Sequence, residues 1–294
     1  MVHYRHPLHI VIVRRGVFIM GVVRTDKWLE AYTVKWNQAM TLQEKIECQR
    51  DVIIQPLSEV FKTKDVIGLH QYLMQMGLFH PEQSIDLEYE QWKESVPWFI
   101  IQKQFNKLKE KWNGPDVKIY VLPLTDQNQF LETQLGSKTG LTIDKAILLF
   151  IRASTSVTDL QALITHEYHH VCRLASTKQS EQSMELLESM VMEGLAEFAV
   201  KEEIGVEACA SWTNRYDKYW KDHWYTRWIK PNLNLKGRVN HIPFLYGDEA
   251  NGIPLWLGYY TGFQIVKTSV SLKESATELM SISARDIYGQ SKFK

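Results

Sequence analysis

Two histidines one helical turn apart form the pattern in this sequence with the clearest chemistry. His166 and His170 are the ends of the string HEYHH, a match to H-E-x-x-H. Four residues at 100° each return two side chains to one face of a helix, so both imidazoles can bind one metal ion. Glu167 can reach a water at that ion without competing as a ligand. Because a metal ion lowers the pKa of water toward 7, this carboxylate can accept the proton.

A catalytic zinc ion takes three protein ligands and keeps one position open, so a third ligand is required. A second predicted helix provides two candidates, Glu193 and Glu197, which are four residues apart and share a face. We expect the nearer carboxylate to bind the metal and the other to hydrogen-bond a ligating imidazole. Gly194, beside Glu193, would let this helix approach the histidine helix closely.

Other residues of the histidine helix receive structural interpretations. His169 lies 100° around the helix from His170 and is interpreted as a packing or surface residue. Cys172 is interpreted as a small buried residue. With Cys48 and Cys209 it makes three widely spaced cysteines. This number argues against a disulfide scaffold and favours a reducing compartment, so we expect a cytoplasmic protein.

The part of the chain before residue 113 is predicted to be helical. Breaks such as Gly77 and Pro81 separate its helices, and Pro97 should kink or split the last one. A turn signal at residues 113–116 marks the end of this pattern. The predicted helices are residues 25–40, 42–61, 66–76 and 88–111.

Strands are predicted directly ahead of the histidine helix. The β-branched and aromatic run at 117–122 predicts one strand, and the apolar run at 141–151 predicts one or two more. Thr158 and Gln161 form a plausible capping box that would open the histidine helix, which should continue to about residue 176.

The C-terminal part is predicted to be helical and aromatic. The glutamate-bearing helix should run over 183–203 and stop at Gly205, and another helix should start at about residue 257, after a loop around 243–254. Between them lies an aromatic run with helical spacing and a net charge of +3. Packing in the core is favoured over a face that stacks nucleic-acid bases. The run comprises Trp212, Tyr216, Tyr219, Trp220, Trp224 and Trp228.

Together these elements predict an α+β protein that is mainly helical, with a small β-sheet ahead of the histidine helix. Strand, metal helix and glutamate helix follow one another in the order that zincin metallopeptidases use. We divide the chain into a poorly specified extension at residues 1–19, an N-terminal helical region at 20–112 and a zincin-like metallopeptidase domain at 113–294.

The overall charge and the longest apolar segment exclude some partners. The 34 Lys and Arg residues balance 34 Asp and Glu residues, so neither nucleic acid nor an anionic membrane surface is expected as the main partner. The segment at residues 8–23 is interrupted by Arg14 and Arg15. The eight residues at 16–23 that remain uncharged are far fewer than the roughly twenty apolar residues of a helical membrane span.

Three strings of this sequence resemble those of the YjaZ-type predicted zinc-dependent proteases, and the resemblance extends from about residue 20 to the C-terminus. They are HEYHH (166–170), MEGLAEF (192–198) and PLWLGYYTGFQIV (254–266). The glutamate-bearing helix is also similar to that of gluzincins, the thermolysin-like branch of the zincins. The sequence departs from the thermolysin pattern at Met192, where that pattern has Asn.

The resemblance implies a Zn²⁺ ion bound by His166, His170 and Glu193, with Glu167 as the general base. Between the two carboxylates of the second helix it favours Glu193 as the ligand and leaves Glu197 to hydrogen-bond an imidazole. It also implies that a strand just ahead of the metal helix, within residues 141–151, holds the substrate backbone.

Thermolysin-like enzymes stabilise the oxyanion of the reaction with a Tyr or His from the C-terminal part, which is expected here too. Tyr259 is the first choice, because Gly258 and Gly262 on either side would permit close packing against the active helices. The other candidates are Tyr246, Tyr260 and His241.

The function predicted from the sequence is therefore a zinc-dependent peptidase that acts on a peptide or protein substrate. One alternative is a zinc hydrolase that cleaves a non-peptide amide. Another is a zincin-fold protein without catalysis, which binds a peptide or has a regulatory role.

Overall fold

The computed structural model describes residues 21–143, 145–180, 182–269 and 274–294, so the predicted extension at 1–19 lies outside the described residues. The described residues are mainly helical and include a four-stranded sheet, as the sequence predicts. None of their helices is long and apolar enough to cross a membrane.

The described residues before 113 form one short strand and six α-helices. They are β1 (Gly21–Val22), α1 (Thr25–Trp36), α2 (Leu42–Gln49), α3 (Gln55–Val60), α4 (Val66–Met76), α5 (Asp86–Ser95) and α6 (Pro97–Trp112). The predicted helix at 42–61 is one helical stretch with a π turn at Arg50–Ile54, just ahead of Pro56, which cannot donate a backbone hydrogen bond. Left-handed Val96 separates α5 from α6 ahead of Pro97, which confirms the predicted split.

The sheet lies directly ahead of the histidine helix in the chain. The elements in this part of the chain are the strands β2 (Lys118–Pro123), β3 (Lys138–Ile143) and β4 (Ala146–Ile151), with the helix α7 (Gln129–Leu135) between β2 and β3. The strand order is β1-β2-β4-β3, with β3 antiparallel to β4 and the other pairs parallel. The predicted run at 141–151 thus contains the end of an edge strand and the whole of an interior strand. Fully buried β4 lies between β2 and the half-buried edge strand β3.

Two long helices carry the candidate ligands, α8 (Val157–Thr177) and α9 (Leu186–Glu203). The predicted capping box at Thr158 is wrong. Ser156 has an extended backbone and caps α8, because its hydroxyl accepts the Asp159 N–H at 3.1 Å. α9 begins later than predicted, because the backbone of Glu185 is extended. The N–H of the first helical residue, Leu186, donates to the Leu235 carbonyl at 2.9 Å.

The aromatic run is not the continuous helix that its spacing suggests. Short 3₁₀ and π turns alternate with bends, around a single short helix, α10 (Asp222–Trp224). Trp212 is buried, which confirms core packing at this position, whereas Tyr219 is 71% exposed. Tertiary contacts replace helical hydrogen bonds here, as where the Tyr216 hydroxyl donates to the Leu255 carbonyl at 2.7 Å.

Four α-helices follow the aromatic run in the part of the chain that the structure describes. They are α11 (Arg238–Tyr246), α12 (Leu257–Ser269), α13 (Ala276–Leu279) and α14 (Ala284–Gln290). The loop predicted around 243–254 starts too early, because α11 continues through Pro243, which removes only one of its hydrogen bonds. The helix predicted from about residue 257 is α12. Serine caps at Ser275 and Ser283 then open two further helices.

α9 is buried on all sides along Leu186–Val200 and packs between α8 and α12. A Cβ on Gly262 would lie 2.0 Å from the Met190 carbonyl oxygen, and a Cβ on Gly194 would lie 2.4 Å from that of Gly262. Gly194 therefore allows α9 to approach α12. The expectation that it serves the approach to the histidine helix is wrong.

The proposed boundary between residues 112 and 113 falls at Asn113, which ends α6 in a left-handed conformation. The buried apolar side chains on both sides of this position belong to one contiguous cluster, from Leu29 to Phe293. β1 also joins the sheet from the N-terminal side. The division into a helical region and a metallopeptidase domain stays a prediction.

Candidate metal centre

α8 and α9 bring the side chains of His166, His170 and Glu193 together. Nε2 of His166 lies 3.2 Å from Oε2 of Glu193, and Nε2 of His170 lies 3.5 Å from the same oxygen. The three residues each offer a ligand atom, and these atoms all lie within 4.8 Å of one another. We call this group the metal centre.

The donor set and its spacing fit a zinc ion. Two histidines and one glutamate are a ligand set found in catalytic zinc sites. Tetrahedral zinc with ligand bonds of about 2.0–2.1 Å holds neighbouring ligand atoms about 3.3 Å apart. The two contacts of Glu193 Oε2, at 3.2 and 3.5 Å, are close to this value.

Glu197 contacts the side of the His166 ring that faces away from the metal centre. Its Oε1 lies 2.7 Å from Nδ1 of His166, and its Oε2 accepts the backbone N–H of Ala210 at 2.7 Å. Because an ionised carboxylate only accepts hydrogen bonds, Nδ1 is the donor in this contact. Glu197 thereby orients the ring so that Nε2 faces Glu193.

The charged side chains of the metal centre and of Glu197 shift one another's pKa values. Burial opposes ionisation of Glu193, but the neighbouring His170 and His166 outweigh it and hold the pKa of this carboxyl well below its ordinary range. Burial likewise disfavours charge on His166, yet Glu193 and Glu197 raise the pKa of this imidazole well above its ordinary value. Protons and a metal ion therefore compete for the same atoms, and acid should weaken metal binding.

Glu167 faces the edge strand. The hydroxyl of Thr142 lies 2.6 Å from Oε2 of Glu167, and a Cβ on Gly140 would lie 2.3 Å from Oε1. Lys138, two residues earlier on β3, forms an ion pair with Asp159 in the first turn of α8. Alternate residues of β3 thus contact α8. The period of two in a strand is the signal by which sequence reasoning could have found Thr142 and Gly140.

The candidates for oxyanion stabilisation separate into two groups. The rings of Tyr259 and Tyr246 pack edge to face, at 5.2 Å between ring centroids. Burial, followed by the charge of Glu193, raises the pKa of Tyr259 well above its ordinary value. The hydroxyl of Tyr260 instead donates to Asp217 at 3.0 Å. Both phenols near Glu193 remain protonated donors at neutral pH.

His241 is committed to other partners. Its Nε2 donates to the Leu235 carbonyl at 2.8 Å, and its Nδ1 lies 2.8 Å from the Ser189 hydroxyl. The ring is fully buried, so neither nitrogen is available to a substrate.

Two other residues of α8 have the packing roles predicted for them. His169 is fully buried with its ring against Trp112, at 5.8 Å between ring centroids. Cys172 is buried next to Tyr168, and burial raises the pKa of its thiol to about 12. A thiol with this pKa is a poor nucleophile at neutral pH.

Arg238, the first residue of α11, is a charged neighbour of the metal centre that sequence reasoning missed. Its Nη2 lies 3.8 Å from Oε1 of Glu193, the oxygen on the other side of the carboxylate from the two imidazoles. No motif in the local sequence indicates this arginine, because only the tertiary fold of the chain ahead of α11 places it next to α9.

Residues 97–289 match the model of a protein family described as predicted Zn-dependent protease (DUF2268). The chain belongs to this family. It is similar to the uncharacterized protein YjaZ of Bacillus subtilis, at 35% identity over 223 residues, which are 76% of this chain and 85% of the relative. It is also similar to the uncharacterized protein YjfC of the same organism, at 26% identity over 147 residues, 47% of this chain and 48% of that protein. No solved structure shows a significant match.

Proposed function

We propose that this chain is a peptidase that uses one zinc ion, held by His166, His170 and Glu193, to hydrolyse peptide bonds. The observation that carries the proposal is the convergence of the three ligand atoms beside Glu167, whose carboxylate lies against the edge strand. Membership of a family described as predicted Zn-dependent proteases supports the same chemistry.

In this proposal Glu167 is the general base. When bound, zinc supplies Lewis-acid chemistry and lowers the pKa of water toward 7. The Glu167 carboxylate accepts a proton from the attacking water and then gives it to the departing amine. Thr142 donates to Oε2 and keeps this carboxylate at the edge of the sheet. Glu197 keeps the ring of His166 oriented.

The substrate backbone pairs with β3 in this proposal. β3 has β4 on one side and is the edge of the described sheet on the other, so its outer backbone groups can bind an extended peptide. Tyr259 donates its hydroxyl to the oxyanion that forms on the attacked carbonyl, with the ring of Tyr246 packed against its own. We extend the proposal to a zincin-like arrangement of residues 113–294 and to a cytoplasmic protein.

Replacing Glu167 by Gln tests the proposal, with a library of random-sequence peptides as the substrate and mass spectrometry as the readout. Glu167→Gln should retain about one zinc ion per chain and lose cleavage by about 10²- to 10⁴-fold, because only the proton acceptor is removed. Glu207→Gln, at an exposed position of the same residue type, is the matched control and should cleave normally. Zinc should be lost on His166→Ala, His170→Ala and Glu193→Ala.

The pair Tyr259→Phe and Tyr260→Phe tests the oxyanion assignment, since each change removes one phenol hydroxyl from neighbouring positions of α12. Only the first should lower turnover, by about 10²-fold or more. Cleavage that survives Glu167→Gln would contradict the peptidase mechanism. Zinc binding with peptide retention but no cleavage would favour the non-catalytic binding protein instead.

A further inference from the structure

Four aromatic rings from three parts of the chain meet beside the metal centre. Phe130 on α7 stacks on the ring of Trp256, at 5.5 Å between ring centroids. Tyr246, the last residue of α11, lies 5.2 Å from the same indole, and Tyr259 on α12 lies 5.0 Å from it. We call these four residues the aromatic cluster. Trp256 is its centre, because it contacts the other three rings.

The aromatic cluster has a buried centre and a partly exposed surface. Trp256 is 1% exposed, whereas Phe130 and Tyr246, which pack against it, are 40% and 38% exposed. A single exposed apolar side chain is ordinary on a protein surface, but here two exposed rings flank one buried indole. Rings that are fixed in this way offer a surface on which a further ring can pack edge to face or with an offset.

The aromatic cluster extends from the edge strand to the metal centre. α7, which carries Phe130, precedes β3 directly in the chain and packs beside it. At the other end, burial is the main cause of the raised pKa of Tyr246, and the charges of Glu193 and Glu167 add to it, so both carboxylates lie near this phenol. A peptide that pairs with β3 can therefore bring a side chain next to the attacked bond onto the aromatic cluster.

The backbone of Trp256 is strained. Its φ of 62° is rare for a bulky side chain. The conformation is fixed from two sides, because the Trp256 N–H donates to the Tyr246 carbonyl at 2.9 Å and a Cβ on Gly258 would lie only 2.7 Å from the Phe244 carbonyl oxygen. Nε1 of the indole has no hydrogen-bond partner among the described residues. Costs of this kind are concentrated at functional sites, so the indole is more than ordinary core packing.

We propose that the aromatic cluster binds an aromatic side chain of the peptide substrate, that of Phe, Tyr or Trp, next to the bond that is cut. Phe130 and Tyr246 contact this side chain, and Trp256 holds the two rings in position. An aromatic side chain suits this surface because ring pairs gain more than the apolar area that they bury. The inference rests on the proposed peptidase function and names the chemical class of its substrates.

Binding to zinc-loaded Glu167→Gln protein tests this proposal without turnover. The probes are three libraries of N-acetylated, C-terminally amidated random heptapeptides. The first contains Phe, Tyr and Trp as its only large apolar residues, the second contains Leu, Ile and Met instead, and the third contains neither set. The aromatic library should be retained about 10- to 100-fold more strongly than the third, the range expected for burying one aromatic side chain against other rings. Equal retention of the aromatic and aliphatic libraries would overturn the proposal.

Adding Phe130→Ala to this protein should reduce the aromatic preference by about tenfold, because one ring of the surface is lost. Phe130→Leu should restore only part of it, since leucine keeps apolar area but has no ring. Phe99→Ala, which removes another exposed phenylalanine, on α6, is the matched control and should leave the preference intact. An unchanged preference in Phe130→Ala would overturn the proposal. Loss of zinc in Phe130→Ala would also overturn it, since Phe130 would then support the metal ligands.

The same libraries offered to the unaltered, zinc-loaded protein, with the cut positions read by mass spectrometry, distinguish a failure of this inference from a failure of the peptidase function. Cleavage with no enrichment of aromatic residues on either side of the cut bond would contradict the role of the aromatic cluster and leave the peptidase intact. An aromatic preference in binding, reduced by Phe130→Ala but accompanied by no cleavage, would support the aromatic cluster and contradict the peptidase.

Discussion

Glu167 is held by two residues of the neighbouring strand, and these contacts determine where its carboxylate can lie. Thr142 donates to Oε2 at 2.6 Å, and the space beside Oε1 exists because residue 140 is glycine. A charge-assisted hydrogen bond of this kind is worth about 1.5–3 kcal/mol. In the proposed mechanism, the edge strand would therefore contribute to catalysis by positioning the proposed base, besides its proposed role in binding substrate.

Thr142→Val should reduce kcat/KM for the peptides cleaved by the unaltered protein by about tenfold or more, since Glu167 loses the donor that fixes it. The zinc content should not change, because Thr142 does not contact the proposed metal ligands in the described hydrogen bonds. Thr142→Ser retains the hydroxyl and should recover most of the rate. Equal rates in Thr142→Val and the unaltered protein would contradict this role, as would loss of zinc.

At the residue scale, the sequence predicts those site residues that share one helix. His166 with His170, and Glu193 with Glu197, lie four positions apart, so helical geometry places each pair on one face. The distances to their partners come from the packing of α8 on α9. Arg238 stands on an element whose position relative to the metal centre depends on that packing, and its own sequence neighbours do not indicate it.

At the element scale, the metal centre depends on how closely α9 and α12 cross. A Cβ on Gly262 would lie 2.0 Å from the Met190 carbonyl oxygen, and this is backbone that cannot rotate away. Glu193 and Tyr259 stand on these two helices within one turn of the crossing. The position of the candidate ligand Glu193 and the position of the proposed oxyanion donor Tyr259 therefore depend on the same glycine contact.

Gly262→Ala should lower the free energy of unfolding by about 1–3 kcal/mol or more, because the added methyl group forces α12 away from α9. Zinc retention should fall as well, since Glu193 moves with α9. Urea unfolding and metal analysis measure the two effects.

Gly289→Ala is the matched control for this change. Gly289 is also in a helix, α14, but a Cβ there would meet nothing within 4 Å. This variant should be unchanged or more stable by up to about 1 kcal/mol, because alanine favours a helix. Equal stability of the two variants would contradict the importance of the crossing.

The elements that the sequence predicts well are those with local signals. Gly77 ends α4 and Pro97 opens α6, so these boundaries follow from backbone chemistry alone. The continuous helix predicted for the aromatic run is wrong, because tertiary contacts override the helical spacing of its residues. There the backbone N–H of Ala210 donates to Glu197, and the Tyr216 hydroxyl donates to Leu255, so the chain bends around α9 and α12.

At the scale of the whole molecule, the helices before residue 113 share a core with the sheet and with α8 and α9. A buried histidine lies in this N-terminal part. His70 is 2% exposed, and its Nε2 lies 2.6 Å from the side-chain oxygen of Gln49, whose amide nitrogen donates to the Phe79 carbonyl. Burial, with smaller contributions from the positive charges of Arg50 and His80, lowers the pKa of His70 to about 4.

This histidine should make the whole fold sensitive to acid. Its pKa in the unfolded chain is about 6.5, above the folded value, so the unfolded state takes up a proton first as the pH falls. The stability contributed by neutral His70 is therefore present above pH 6.5 and is lost as the pH falls toward about 4. The linked change in the free energy of unfolding is about 2–3 kcal/mol at pH 4.5.

His70→Gln removes this titration while its amide can still donate to Gln49. Between pH 7 and pH 4.5, the free energy of unfolding of the unaltered protein should therefore fall by about 2–3 kcal/mol more than that of His70→Gln, measured in urea at the same zinc concentration. His223→Gln, an exposed histidine on α10, controls for the substitution itself. Parallel pH profiles for His70→Gln and the unaltered protein would show that His70 takes up its proton equally in both states. In that case the acid sensitivity would have to arise elsewhere, with the metal centre as the next group to test.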